Sequence, residues 1–354
     1  MKKVFLFFFA LVFSGSLFAA KIDEIVFFGD SLTDNGNIYD MLKIIPRSPP
    51  YYEGRFSNGP AWGDYLSQHL QSTWGIAASN YAYGGATAFQ HDSGLFMFAM
   101  TLENELDIYN TYAAIKNIDY SKKLFVVWIG ANDYLWEEDL DTEALTSQVL
   151  DKINWGITNL IDHGAQNFLV LNLPDLAATP YAEAHSLQER MHTLATVHNQ
   201  KLTKLLSDLR TAHPQAKFFT VDIYDTFNDL TAHTDKFNQK YQTHLSNINE
   251  ACLLNGIMLK KDGNLEKSLL PVAEKMAQKY NAHALATGIL HSPSLKEVYL
   301  AGGVKDEVSD KEMCDYPDQY IFWDRIHPTT VVHQILSSIV TEKLESEAKD
   351  LLVG

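Results

Sequence analysis

Ser31 lies in the heptamer Phe28-Gly29-Asp30-Ser31-Leu32-Thr33-Asp34, directly after a short apolar run from Ile22 to Phe28. A serine on a tight turn after a buried strand is presented as a nucleophile, provided a base stands by to take its proton. Far downstream, Asp324-Arg325-Ile326-His327 offers a carboxylate and an imidazole three residues apart. Nucleophile, base and orienting carboxylate are the parts of acyl transfer through a serine ester. A Gly-Asp-Ser turn on its own reads more readily as a helix cap than as a nucleophile. The distant Asp-His pair tips the reading to a serine hydrolase or acyltransferase.

Such residues need elements that bring both ends of the chain together. Ile22 to Phe28 reads as a first strand, and Leu124–Ile129, Phe168–Leu173 and Phe218–Ile223 are continuous apolar runs. Runs of that kind suit strands buried on both faces of a parallel sheet. Helical patterns separate them. One covers Thr142 to His163, with Val149, Ile153, Ile157 and Leu160 on one face and Gly164 as its stop. Others run from about Ala184 to Ala212 and from Thr329 to about Leu351. Strands alternating with helices predict a doubly wound α/β sandwich. In open α/β sheets ligands bind at the carboxyl ends of the strands. Ser31, Asn132 and the final Asp-His pair all project to that edge.

The rhythm breaks between about 228 and 320, which reads as an insertion with helical pieces near Ala273–Tyr280 and a polar run at Ala301–Lys311. Cys252 and Cys314, the two cysteines of the chain, fall inside it. In an exported chain an even pair reads as a disulfide. The closed segment is either a lid over the catalytic end or a surface excursion with no catalytic part. Export itself is predicted by residues 1–20. Lys2 and Lys3 precede the apolar Val4–Phe13, and small residues lead to a cut after Ala19 or Ala20. That run is shorter than the ~20 residues a membrane-spanning helix needs. Residues 21–354 then form a single domain, secreted to the periplasm or beyond. The formal charge of −16 becomes more negative once Lys2 and Lys3 are removed. So acidic a chain is not drawn to nucleic acid or to an anionic membrane by its bulk field.

Four separated blocks carry a resemblance. They are Gly29-Asp30-Ser31-Leu32 (continued to Asn37), Asn80-Tyr81-Ala82-Tyr83-Gly84-Gly85-Ala86, Gly130-Ala131-Asn132-Asp133, and Asp324 through His327-Pro328. In this order they resemble the GDSL (SGNH) hydrolases, in the branch of secreted bacterial lysophospholipases, phospholipases A and glycerophospholipid:cholesterol acyltransferases. The segment Gly54-Arg55-Phe56-Ser57-Asn58-Gly59-Pro60, followed by Trp62, also resembles that branch. The resemblance implies a three-layer α/β/α sandwich with a mostly parallel, flavodoxin-like sheet. It implies Ser31 as nucleophile, His327 as base and Asp324 as its orienting carboxylate. The oxyanion is then met by the backbone N–H groups of Ser31 and Gly85 and the side-chain amide of Asn132. Gly84 competes closely with Gly85 for that task. No cofactor and no metal are implied, and no H-E-x-x-H occurs among the thirteen histidines.

Asp30, Asp34 and Asp133 read as structural acceptors for loop amides, and His198 and His333 as buried core histidines on helical stripes. Tyr51, Tyr52, Phe56, Trp62, Phe89, Phe96 and Phe98 either line an acyl groove or pack the core. Expected substrates are lysophospholipid or phospholipid acyl esters, with cholesterol as an alternative acyl acceptor. A protease nicking the disulfide loop is an expected activator. The rival enzyme reading is a short-chain or carbohydrate O-acetyl esterase. A non-catalytic secreted binding protein on the same scaffold is disfavoured by the intact Ser31, Asn132, Asp324 and His327.

Overall fold

In a computed structural model, residues 22–42, 46, 48–91, 100–136, 140–253 and 313–353 are described. Five strands, β1 (Glu24–Gly29), β2 (Ala77–Asn80), β3 (Lys123–Trp128), β4 (Asn167–Leu171) and β5 (Lys217–Val221), form one sheet in the order β2-β1-β3-β4-β5. Every pairing is parallel. β3 and β4 are buried along their whole length, as the continuous apolar runs Leu124–Trp128 and Phe168–Leu171 that follow their first residues require. β2, Ala-Ala-Ser-Asn, is an edge strand with its first two residues exposed.

Right-handed crossovers fix which helix covers which face. The helix Trp62–Trp74 joins β1 to β2 in one direction across the sheet. Leu102–Lys116, Thr142–Asp162 and Gln188–Ala212 serve the connections that run the other way, and so cover the opposite face. The C-terminal helix Thr330–Glu347 packs on Trp62–Trp74 and completes the first layer. The result is an α/β/α sandwich whose strand order reverses between β1 and β3. The crevice at such a switch point is where these sheets bind ligands. Ser31 follows β1 and Asn132 follows β3, so this crevice lies between them.

Helix limits differ from the sequence reading where the backbone turns. Thr142–Asp162 is capped by the Asp141 side chain accepting from Ala144 N–H and ends before Gly164 at φ +101°. A separate turn of helix, Pro180–Ala184, ends before Ser186 at φ +56°, which delays the long helix to Gln188. The last helix breaks at Ala348 and resumes over Lys349–Val353.

Regular structure continues past Asn228. The helix Ile223–Ala232 contains that residue, and Thr234–Tyr241 and β6 (Asn247–Ala251) follow. β6 pairs in parallel with β7 (Tyr320–Phe322), just before Asp324. The expected export signal, Phe96, Phe98, the helical piece at Ala273–Tyr280 and the run at Ala301–Lys311 lie outside the described residues. Among the described residues no helix is long and apolar enough to cross a membrane.

Cys252 and Cys314 are joined as a disulfide, 62 residues apart in sequence. Cys252 N–H donates to the Phe322 carbonyl and Leu253 N–H to that of Trp323. The bridge is therefore tied to the strand that leads into Asp324. Replacing both cysteines by Ala should cost about 4 kcal/mol by the chain-entropy relation for a loop of this length. Denaturant unfolding measures it, and an unchanged midpoint would contradict the assignment of a stabilising cross-link.

Candidate active site

The tight turn after β1 is built by Asp30. Its carbonyl accepts from the N–H groups of Thr33 and Asp34, and its carboxylate from Leu32 N–H at 3.0 Å. That geometry leaves Ser31 at the head of the turn. The Ser31 Oγ lies 2.8 Å from His327 Nε2. His327 Nδ1 lies 2.9 and 3.0 Å from the two carboxylate oxygens of Asp324. An imidazole nitrogen facing a carboxylate carries the proton, so Nε2 is left to accept from the serine hydroxyl.

Asp324 is held from four directions. Its Oδ1 accepts from the backbone N–H groups of Ile326 and His327, both at 2.8 Å, and Oδ2 accepts from the Tyr51 hydroxyl at 2.6 Å. Burial pushes this carboxyl up. The His327 imidazole and the hydrogen bonds from His327 and Tyr51 outweigh it and hold the group below the usual carboxylate range. Tyr51 packs edge-on against Trp323, whose backbone N–H donates to the His327 carbonyl. Phe56 lies against the imidazole with ring centroids 5.1 Å apart. Ser57 donates to the Pro328 carbonyl at 2.9 Å, and the Asn58 side chain accepts from Thr330 N–H at 2.8 Å. The Gly54–Pro60 segment thus clamps the turn that carries the histidine.

The second and third blocks meet the first at the same edge. The Asn37 amide donates to the carbonyls of Asn80 and Ala82, and the Asn80 amide to the Thr33 carbonyl. Asn132 Nδ2 donates to the Ala86 carbonyl at 2.9 Å, which fixes the plane of its amide. Gly84 N–H is committed to Asp34 Oδ2 at 2.7 Å. A side chain at Gly84 would collide with the Phe56 ring, 2.1 Å from the added carbon. Gly85, next along the turn, is buried at φ +79°, a conformation that favours glycine.

Four buried carboxyls hold these loops by their amides. Besides Gly84, Asp34 accepts from Gly36, Asn37 and Ile38, and Asp133 accepts from Ala88 N–H and contacts His91 Nε2 at 3.0 Å. Glu105 accepts from Gly29 N–H at 2.9 Å and Tyr83 N–H at 3.2 Å. Burial raises all four: Asp30 to about 7, Asp34 to about 6, Asp133 above its usual value and Glu105 well above it. The roles of Glu105 and Tyr51 were not visible in sequence. A glutamate in the first turn of a helix reads as a solvated charge, and Tyr51 reads as one aromatic among several. His198 and His333 are buried and lowered to about 3 by desolvation, with the nearby His327 imidazole adding to the effect at His333.

From Ser31 a groove enclosing about 980 Å³, its open mouth included, runs across the carboxyl edge of the sheet. Asp30, Ser31 and Asn132 form its polar end. The rest is mostly aliphatic and comes from the β3 and β4 loops and the helices Ile223–Ala232 and Thr330–Glu347. Tyr51, Phe56 and Trp62 are buried in the core instead. Tyr52 and Phe89 do not line this groove either.

Residues 25–340 match the family model for GDSL-like lipase/acylhydrolase. The chain belongs to that family. It is 30% identical to a phosphatidylcholine-sterol acyltransferase of Aeromonas hydrophila over 92% of this chain and 90% of the relative. It is 24% identical to the secreted effector protein SseJ of Salmonella typhimurium and 23% identical to a thermolabile hemolysin of Vibrio parahaemolyticus, over 92% and 93% of this chain. The chain spans 65% of the length of each of those two relatives. This GDSL acylhydrolase is thus an esterase/lipase-type enzyme by family.

Two predictions follow from the electrostatics. Tyr51→Phe removes one donor from Asp324 and should lower kcat about tenfold. Steady-state ester hydrolysis reads this, and an unaltered kcat would remove Tyr51 from the relay. Between the ordinary carboxyl value and about 7, folded Asp30 keeps a proton that the unfolded chain has released. Its contribution to stability is therefore lost as pH rises through that window. His198 and His333, kept neutral in the fold, act in the opposite sense below about pH 6.5. The informative quantity is thus the difference between wild type and Asp30→Asn. The variant should gain on wild type from pH 5 to pH 8 in thermal melts, and parallel profiles would contradict the assignment.

Proposed function

We propose that this protein is an exported lipolytic acyl hydrolase that cleaves lysophospholipid and phospholipid acyl esters through an acyl-Ser31 intermediate, with a sterol hydroxyl such as that of cholesterol as an alternative acceptor. The observation that carries the reading is the Ser31–His327–Asp324 contact chain, whose Ser31 stands at the end of a mostly apolar groove. An apolar groove beside the nucleophile favours an acyl chain over an acetyl group or a sugar. The sterol acceptor is supported by the name of the Aeromonas relative, and export by the description of the Salmonella relative as a secreted effector.

The Ser31 Oγ attacks the ester carbonyl while His327 Nε2 takes its proton. Asp324 stabilises the imidazolium that forms. Negative charge on the carbonyl oxygen is met by the Ser31 N–H, the Gly85 N–H and the Asn132 amide. Gly85 is preferred to Gly84 because the Gly84 N–H already serves Asp34. His327 returns the proton to the departing alcohol, leaving the acyl-serine ester. Water or a sterol hydroxyl, deprotonated by the same imidazole, then resolves it. In the same reading, residues 1–20 direct export and the loop closed by Cys252–Cys314 is where an activating protease would act.

Asn132→Ala should lower kcat by about 100- to 1000-fold if the amide stabilises the oxyanion. The substrate is tested by product analysis on lysophosphatidylcholine, phosphatidylcholine and an acetyl ester, with and without cholesterol. Free fatty acid from the lysolipid is the expected product, and cholesteryl ester would reveal the second acceptor. Activity confined to the acetyl ester would keep the triad and overturn the lipid substrate.

A further inference from the structure

The groove that starts at Ser31 has a defined far end. Val332, Ile335, Leu336 and Ile339 all line it. Spaced i, i+3, i+4 and i+7, they form one continuous face of the helix Thr330–Glu347. Thr226, Phe227 and Leu230 of the helix Ile223–Ala232 supply the facing wall. From Val332 to Ile339 the helical face extends about 10 Å. It leads away from the turn that carries His327, so depth along it is distance from the reacting ester.

At its distal limit the surroundings change character. Thr226 and Ile339 line the groove and also a second, open pocket of about 870 Å³, whose other walls are Asp225, Asp229, Lys236, Lys240 and Glu342, with the rings of Phe237 and Tyr241 between them. Four of these form two ion pairs, Lys236–Asp229 and Lys240–Glu342, both at 2.8 Å. An aliphatic chain passing Ile339 therefore leaves a mostly aliphatic wall for an open rim where ion pairs alternate with two rings. Each methylene fully buried before that point strengthens binding by about fourfold, and methylenes beyond it are less buried and add less.

We propose that the boundary at Thr226 and Ile339 is the chain-length determinant of this acyl site, setting how many carbons of the acyl group the enzyme rewards. This rests on the lipolytic reading above. It adds that selectivity is set at the far end of the groove, about two helical turns beyond Val332, and not by the residues around Ser31.

The test is the profile of kcat/KM against acyl length, from acetyl to stearoyl esters of one alcohol, for wild type and two variants. Ile339→Trp fills the far end and should move the maximum to shorter chains, lowering the palmitoyl-to-butyryl ratio at least tenfold. Lys240→Met lies on the exposed charged rim, where folding is not at risk, and should raise the relative rate on the longest chains. A profile of unchanged shape in both variants would overturn the proposal, as would a loss in Ile339→Trp that is uniform across lengths. Wild-type activity restricted to acetyl esters would instead overturn the lipolytic reading itself and take the length determinant with it.

Discussion

The contact between Ser31 Oγ and His327 Nε2 joins side chains 296 residues apart, and it is the constraint around which this molecule is arranged. A 2.8 Å hydrogen bond tolerates little relative movement of its two turns. Ser31 is fixed by the turn that Asp30 builds after β1. His327 is fixed by a second turn, in which the Asp324 carboxylate accepts from two of the turn's own amides, from the imidazole and from Tyr51. Neither turn is regular structure, so each depends on what packs behind it. For the histidine, that support is the Gly54–Pro60 segment and the disulfide-linked strand before Asp324.

Placing polar loops in a dry interior carries a general difficulty: every backbone amide must find an acceptor. Here the acceptors are Asp30, Asp34, Glu105 and Asp133, each nearly or wholly inaccessible. A carboxylate can take several donors at once, as Asp34 does with four amides, so a few acidic side chains pin loops from three separate blocks. The cost is crowding of like groups, and burial raises each of them above its usual value. Rigidity of the oxyanion region and a pH-sensitive interior are two consequences of one arrangement.

Much of the scaffold was legible in the sequence because its signals are local. β3, β4 and β5 announce themselves as short apolar runs, and Val149, Ile153, Ile157 and Leu160 mark a buried helical face. The blocks around Ser31, Asn132 and His327 follow strands or precede helices, which puts them on one edge. What stayed hidden depends on tertiary placement. β2 has no apolar run because it is a half-exposed edge strand. Glu105 serves Gly29 from 76 residues away, a pairing no local pattern encodes. The aromatics after the first and second blocks fit an acyl groove or the core equally by sequence, and Tyr51 and Phe56 support the turn of His327 from behind. The groove's aliphatic walls come from Thr330–Glu347 and from Ile223–Ala232, a helix that falls between an expected strand and an expected insertion.

The central claim is that Ser31 is a nucleophile activated by His327. Labelling of the folded protein with a fluorophosphonate, followed by peptide mapping, tests it most directly. One equivalent of label on Ser31, abolished in a His327→Ala variant that still folds, is the predicted result. No labelling of the folded protein, or labelling at another residue, would contradict the account and favour a binding protein built on a hydrolase scaffold.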